Sequence, residues 1–146
     1  MEKYQQYYNP TVWGPHYWFF LHTIAQTYPN NPTPASKRKY YDLIQNMPLF
    51  IPTPEIGNKF SSYLDKYPVS PYLDSRESFV RWVCFIHNKI NISLNKPELS
   101  YSSALENYKN NYKPKQIQLL EKMKLDKQII LMIYIFACVL FIFFIY

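Results

Sequence analysis

Two glycines in 146 residues leave no Gly-rich phosphate loop, so nucleotide motifs of that kind are excluded. Two cysteines, Cys84 and Cys138, build neither a disulfide scaffold nor a Cys-rich zinc site. Three histidines, His16, His22 and His87, come without the carboxylate spacing of a metal site. Acidic residues are also scarce, ten against sixteen Lys and Arg, for a net charge of +6. What is abundant is apolar: hydrophobic residues make up 48% and aromatics 19%, with fifteen Tyr and ten Phe. That content excludes an intrinsically disordered chain, and the length suits one domain.

Residues 129–146 read IILMIYIFACVLFIFFIY, eighteen without a charge. As a helix they would span about 27 Å, close to a bilayer's hydrocarbon core. The preceding stretch, 113–128, carries Lys113, Lys115, Lys122, Lys124 and Lys127 against Glu121 and Asp126, half of the chain's net charge. Lysines at one end of an apolar run fit snorkelling and the positive-inside rule. The expectation is a single-pass tail anchor over 129–146, with the preceding domain on the cytoplasmic side. MEKYQQYYNP has no apolar core and is not a signal peptide. A reducing compartment follows, where structural disulfides are not expected. The excess charge sits beside the apolar run, so membrane contact accounts for it and nucleic-acid binding is not expected.

Along residues 1–128 the pattern is helical throughout, with no sustained period-two alternation. Residues 1–11 are polar and Tyr-rich, an extended arm. The first helix is expected near Gly14–Pro15, ending before Pro29, with Trp18, Leu21, His22, Ala25 and Tyr28 on one face. The second starts near Ser36 and ends by Met47, with Tyr40, Leu43, Ile44 and Met47 as its stripe. The third starts at Pro54 with Thr53 as N-cap, and Ile56, Phe60, Tyr63, Leu64 and Tyr67 face inward. Asp74 with Glu77 reads as a capping-box variant opening the fourth. Phe79, Trp82, Val83, Ile86, His87 and Ile90 repeat along it. A short fifth helix is expected over 103–112, and a last one from Gln116 into the apolar run. The composite is an all-α four-helix bundle with a short fifth helix and a C-terminal transmembrane helix.

Two blocks of this pattern carry a resemblance: WGPHYWFFLHTIAQTYP, residues 13–29, and WVCFIHNKINISLNKP, residues 82–97. In order and spacing they resemble the paired motifs of the Erv/ALR family of FAD-linked sulfhydryl (thiol) oxidases. The likeness covers roughly residues 12–108, so 12–112 is taken as the family-like domain. The short chain and WGPHYW start are most similar to the family's viral branch, and a viral membrane is a matching location. The resemblance implies non-covalent FAD inside the bundle. It would be lined by Gly14, Trp18 and His22 from the first helix and by Cys84, His87, Asn88, Asn91 and Lys96 from the fourth and its exit. The residue types suit this. A flavin needs an apolar slot with a few convergent polar groups. His87 and Asn91 share a helix face. Asn88 and Asn91 suit adenine or ribose, Lys96 suits pyrophosphate, and Trp18 and Trp82 offer flat surfaces.

The departure lies in the third helix. The family carries a redox Cys-x-x-Cys at its start, after a Pro. Here the stretch reads Phe50-Ile51-Pro52-Thr53-Pro54-Glu55-Ile56-Gly57, and the two cysteine positions hold Thr53 and Ile56. Neither side chain forms a disulfide or relays an electron pair. No catalytic residue is assigned. The expectation is a degenerate, FAD-binding member that has lost the dithiol-to-disulfide, oxygen-reducing chemistry. The alternative is a membrane-tethered scaffold without flavin or enzymatic activity. The resemblance implies a homodimer, or a heterodimer with an active family member, and thiol-containing proteins as partners.

Overall fold

Asn9 and Pro10 start the first helix. The computed structural model describes the backbone of residues 8–145 and side chains through residue 141. Asn9 Oδ1 accepts from the Thr11 amide at 2.9 Å, and Pro10 takes the first helical position, where its missing N–H costs nothing. Helix α1 thus spans Pro10–Gln26, starting earlier than Gly14–Pro15. Pro15 lies inside it and deprives only the Thr11 carbonyl of a donor. Of the expected arm, residues 1–7 lie outside the described residues.

Helix α2 spans Pro34–Asn46, capped by the Thr33 hydroxyl on the Ser36 amide at 3.1 Å, and a 3₁₀ turn over Met47–Phe50 follows. Helix α3 spans Pro54–Lys66 with Thr53 at the N-cap position, but the Thr53 side chain makes no capping bond. After a 3₁₀ turn over Ser70–Tyr72, helix α4 runs Arg76–Ser93. Its cap is Ser75, whose hydroxyl accepts from Ser78 N at 3.2 Å. The expected Asp74–Glu77 box does not form, because both carboxylates have cationic partners, Lys37 for Asp74 and Arg81 for Glu77. Helix α5 spans Tyr101–Asn110, two residues earlier than expected, and α6 spans Lys115–Ile145. The described residues are all-helical, with six α-helices.

The chain divides into two compact units at Leu105–Glu106, within α5. In the first, α4 packs on α1 and α3 on the 3₁₀ turn after α2. Of the predicted inward faces, Leu21, His22, Ala25, Tyr28, Ile44, Met47, Phe60, Leu64, Phe79, Trp82, Val83, Ile86 and Ile90 are buried, while Trp18, Tyr40, Leu43, Ile56, Tyr63, Tyr67 and His87 are half-buried. Tyr28 lies beyond the end of α1 yet is fully buried. Its hydroxyl donates to Leu73 O at 2.8 Å, and its ring packs edge-on against Tyr40 and Phe79, so a polar atom is buried without desolvation loss.

The approach of α3 to the 3₁₀ turn depends on Gly57. A Cβ there would stand 2.9 Å from Pro48 O, a backbone atom that cannot rotate away. Gly57→Ala gains helix propensity of about 1 kcal/mol, but overpacking costs about 1–3 kcal/mol. The expected net outcome is a loss of about 1 kcal/mol, read as a lower thermal midpoint; an unchanged or raised midpoint contradicts it.

In the second unit, Gln118 Nε2 donates to Asn110 O and Lys113 O, both at 2.8 Å, and Lys113 pairs with Glu121 at 3.0 Å. These bonds staple the turn at Pro114. Every side chain from Lys115 to Phe141 is exposed. Among the described residues no helix is long and apolar enough to cross a membrane. The expected span over 129–146 ends in residues 142–146, which lie outside the described side chains.

Candidate functional site

Helices α1 and α4 bring together two histidines 65 positions apart. His22 Nε2 and His87 Nδ1 lie 3.1 Å from each other. Trp18, one turn before His22, stacks on the His87 ring at 3.9 Å and 9°. Phe60 from α3 meets the Trp18 ring edge-on at 6.4 Å. The α1 spacing of Trp18 and His22 and the α4 placement of His87 make this convergence possible.

Burial sets the charge state. It holds the His22 imidazole at a pKa of about 4. It holds His87 at about 3, with His22 and Lys96 adding to the effect. Both rings are neutral at pH 7, so one nitrogen of the 3.1 Å contact donates and the other accepts. The result is an uncharged aromatic cluster, one stacked pair with tilted rings around it and polar nitrogens on its edge.

The other expected residues fall around this cluster in different ways. Gly14 lies on α1, and a Cβ there would meet nothing within 4 Å, so packing within the protein does not demand glycine. Asn91, one turn beyond His87, is buried. Its carbonyl accepts from Lys96 N at 2.8 Å. Asn95, at φ 55°, makes that return possible, because Asn tolerates the left-handed region. The Lys96 side chain is exposed. Cys84 is buried and its thiol is pushed up to about 11, so it is no thiolate at neutral pH. Both cysteines are free. Trp82 is a core residue, its indole N–H on Tyr67 O at 3.1 Å. Thr53 and Ile56 occupy the first turn of α3, both half-buried.

Asn88 has a role that sequence reasoning missed. Its Nδ2 donates to Leu99 O at 2.8 Å, and its Oδ1 accepts from Leu99 N at 3.0 Å. The carboxamide expected to face a ligand is a strap holding the Lys96–Ser100 segment on α4. A partner eleven residues away on irregular backbone leaves no periodic trace. Asn88→Ala is expected to lose about 1 kcal/mol, since the half-buried Leu99 groups lose their partners. Hydrogen exchange at the Leu99 amide should rise with it; unchanged protection there contradicts the strap.

Comparison with known proteins places this arrangement. The sequence profile of the Erv1/Alr family matches residues 15–113. The chain is similar to a probable FAD-linked sulfhydryl oxidase of Acanthamoeba polyphaga mimivirus, at 34% identity over 74% of this chain and 76% of that protein. It is also similar to the mitochondrial FAD-linked sulfhydryl oxidase of Schizosaccharomyces pombe, at 38% identity over 55% of this chain and 44% of that one. Its fold matches the crystal structure of the yeast Erv1 core with a TM-score of 0.65 at 26% identity, covering 73% of this chain and 88% of the other. The paired motifs around Trp18 and His87 are therefore an inheritance, and the chain belongs to the Erv1/Alr family.

Proposed function

We propose that this chain binds FAD non-covalently but does not by itself oxidise dithiols. One observation carries the reading: the two family motifs converge on an uncharged Trp18–His87 stack with His22 on its edge, while the positions of the redox cysteines hold Thr53 and Ile56. Asn91, one turn beyond His87 on the same face of α4, fits a polar contact to a group bound beside the stack. The open space at Gly14 and the exposed Lys96 fit the same group, the lysine toward phosphate.

FAD, when bound, supplies a ring that takes an electron pair and passes it to dioxygen. This chain's residues bind and shield that ring. Trp18 and His87 present flat surfaces, His22 fixes the His87 tautomer, and Cys84, protonated, serves as packing. Oxidation of two thiols to a disulfide releases two electrons and two protons, and no sulfur at position 53 or 56 collects them.

The reading extends to location and partners. The apolar side chains of Ile129–Phe141 are exposed along α6, and Lys115, Lys122, Lys124 and Lys127 are spread around the helix rather than gathered on one face. That distribution supports an upright, membrane-spanning helix over an in-plane one, with the lysines on the cytoplasmic side, in a cellular or viral membrane. Val12 and Phe20 on α1, with Tyr41, Leu49 and Phe50, are exposed and support pairing with a second copy or an active family member.

The test is the visible absorption spectrum of the full chain purified in detergent, with dithiothreitol-driven oxygen uptake measured alongside. A retained flavin band with no uptake above free FAD supports the proposal. Turnover by the unmodified chain overturns its second half. A colourless, folded protein indifferent to FAD selects a scaffold. Alkaline extraction that releases the chain from membranes overturns the anchor.

A further inference from the structure

On the solvent side of α4, the side chains Arg81, Phe85 and Lys89 recur at four-residue spacing and form one basic–aromatic–basic stripe. Beside it lies a cleft of about 220 Å³, walled by Tyr67, Tyr72, Arg81 and Phe85 over a Trp82 floor. Tyr72 is 41% and Phe85 39% exposed, so the cleft opens to solvent. Its aromatic walls are rigid: Tyr67 meets Phe85 edge-on at 4.9 Å and 87°, and Trp82 is pinned through its indole N–H.

Three cations stand on aromatic faces here. The Lys66 ammonium lies 5.4 Å from the Tyr67 ring centre, Lys89 lies 5.0 Å from Phe85, and the Arg81 guanidinium lies 4.5 Å from Tyr101. Arg81 also pairs with Glu77. No carboxylate pairs with Lys66 or Lys89 among the described residues. The cleft thus offers an apolar slot for one large side chain, with two ammonium groups beside it and the Glu77 carboxylate engaged by Arg81.

We propose that this cleft docks an acidic peptide segment of a partner protein, with one apolar residue inserted between Tyr72 and Phe85 and flanking carboxylates on Lys66 and Lys89. Charge complementarity selects the acidic class, since like charge at a cationic rim is repelled. The open mouth selects a side chain presented from outside over an enclosed small molecule. Neither Tyr72 and Phe85 nor Lys66 and Lys89 belong to the flavin-site reading, so the two stand or fall separately.

The probe is a fluorescein-labelled peptide with a central leucine flanked by three glutamates on each side, titrated into the full chain in neutral detergent. Saturable binding is expected. Replacing the leucine by serine, or introducing Phe85→Ala, should weaken it about tenfold or more, because the apolar anchor loses its burial. The double variant Lys66→Glu, Lys89→Glu should weaken it by at least about tenfold and flatten the salt dependence. The far-ultraviolet circular dichroism and thermal midpoint should not change in either variant, which reports that both fold. A peptide with lysines in place of the glutamates should not bind. Absence of saturation, or binding indifferent to both the leucine and Phe85, overturns the cleft. Self-association of the chain that Phe85→Ala abolishes overturns the acidic partner in favour of a second copy.

Discussion

The double variant Thr53→Cys, Ile56→Cys is expected to acquire thiol-dependent oxygen consumption well above that of the natural chain, which on the proposed reading has none of its own. The two positions are three apart on the first turn of α3, where the family's cysteine pair lies. A thiolate at a helix N-terminus is stabilised by the unsatisfied amides and the helix dipole, which brings its pKa toward neutrality. Thr53 makes no capping bond, so Thr53→Cys removes nothing from the helix start. Ile56 is half-buried, and cysteine there shortens an apolar side chain at a cost of about 1–2 kcal/mol, which a stable domain tolerates. The new dithiol would pass its electron pair to bound flavin and close to a disulfide, then be reopened by dithiothreitol. Each single variant should stay inactive, because one sulfur cannot form the intramolecular bond. An oxygen electrode reads the result. A flavin-loaded double variant without turnover would show that the surroundings of α3, beyond two side chains, have lost the required geometry.

The second large effect is acid destabilisation through the histidine pair. Both imidazoles have folded-state pKa values below the ordinary 6.5, at about 4 for His22 and about 3 for His87, because burial penalises the cation. The unfolded chain therefore binds more protons than the folded one between those values and 6.5. Stability is complete above about pH 6.5 and is lost as pH falls toward the folded values. At pH 5 the two groups together should cost about 4 kcal/mol relative to pH 7, a large share of a typical domain's stability. Urea unfolding of the flavin-free chain at pH 7 and pH 5 measures this, with His22→Gln, His87→Gln as control. The control should be weaker at pH 7 and far less sensitive to pH. A natural chain equally stable at both pH values would mean that the rings are hydrated rather than buried.

Much of this molecule was legible before folding. Three- and four-residue spacing marks the buried faces of α1 and α4, because a helix exposes its own periodicity in sequence. Pro29, Pro54 and Pro68 bound helices for a local reason, the fixed φ and missing N–H, whereas the start at Pro34 lies two residues before the expected Ser36. Helix starts were less legible where two caps compete. Asn9-Pro10 outcompetes Gly14-Pro15 for α1, and Ser75 outcompetes Asp74 for α4 once Lys37 holds the Asp74 carboxylate. The loss of the cysteine pair needs only the letters at positions 53 and 56.

Composition, spacing and the letters at positions 53 and 56 thus establish the helical class, most of the inward faces, the apolar run with its lysines, and the absence of sulfur at those two positions. Only the tertiary structure decided that His22 touches His87 and that both stay neutral. It also decided that Asn88 straps Leu99, and that Gly57 lies against Pro48 O. The division has a physical cause. Periodicity reports which residues share a face of one element. Hydrogen bonds, desolvation and close approach depend on the register between elements, which is set by packing across the core and leaves no local mark on the chain.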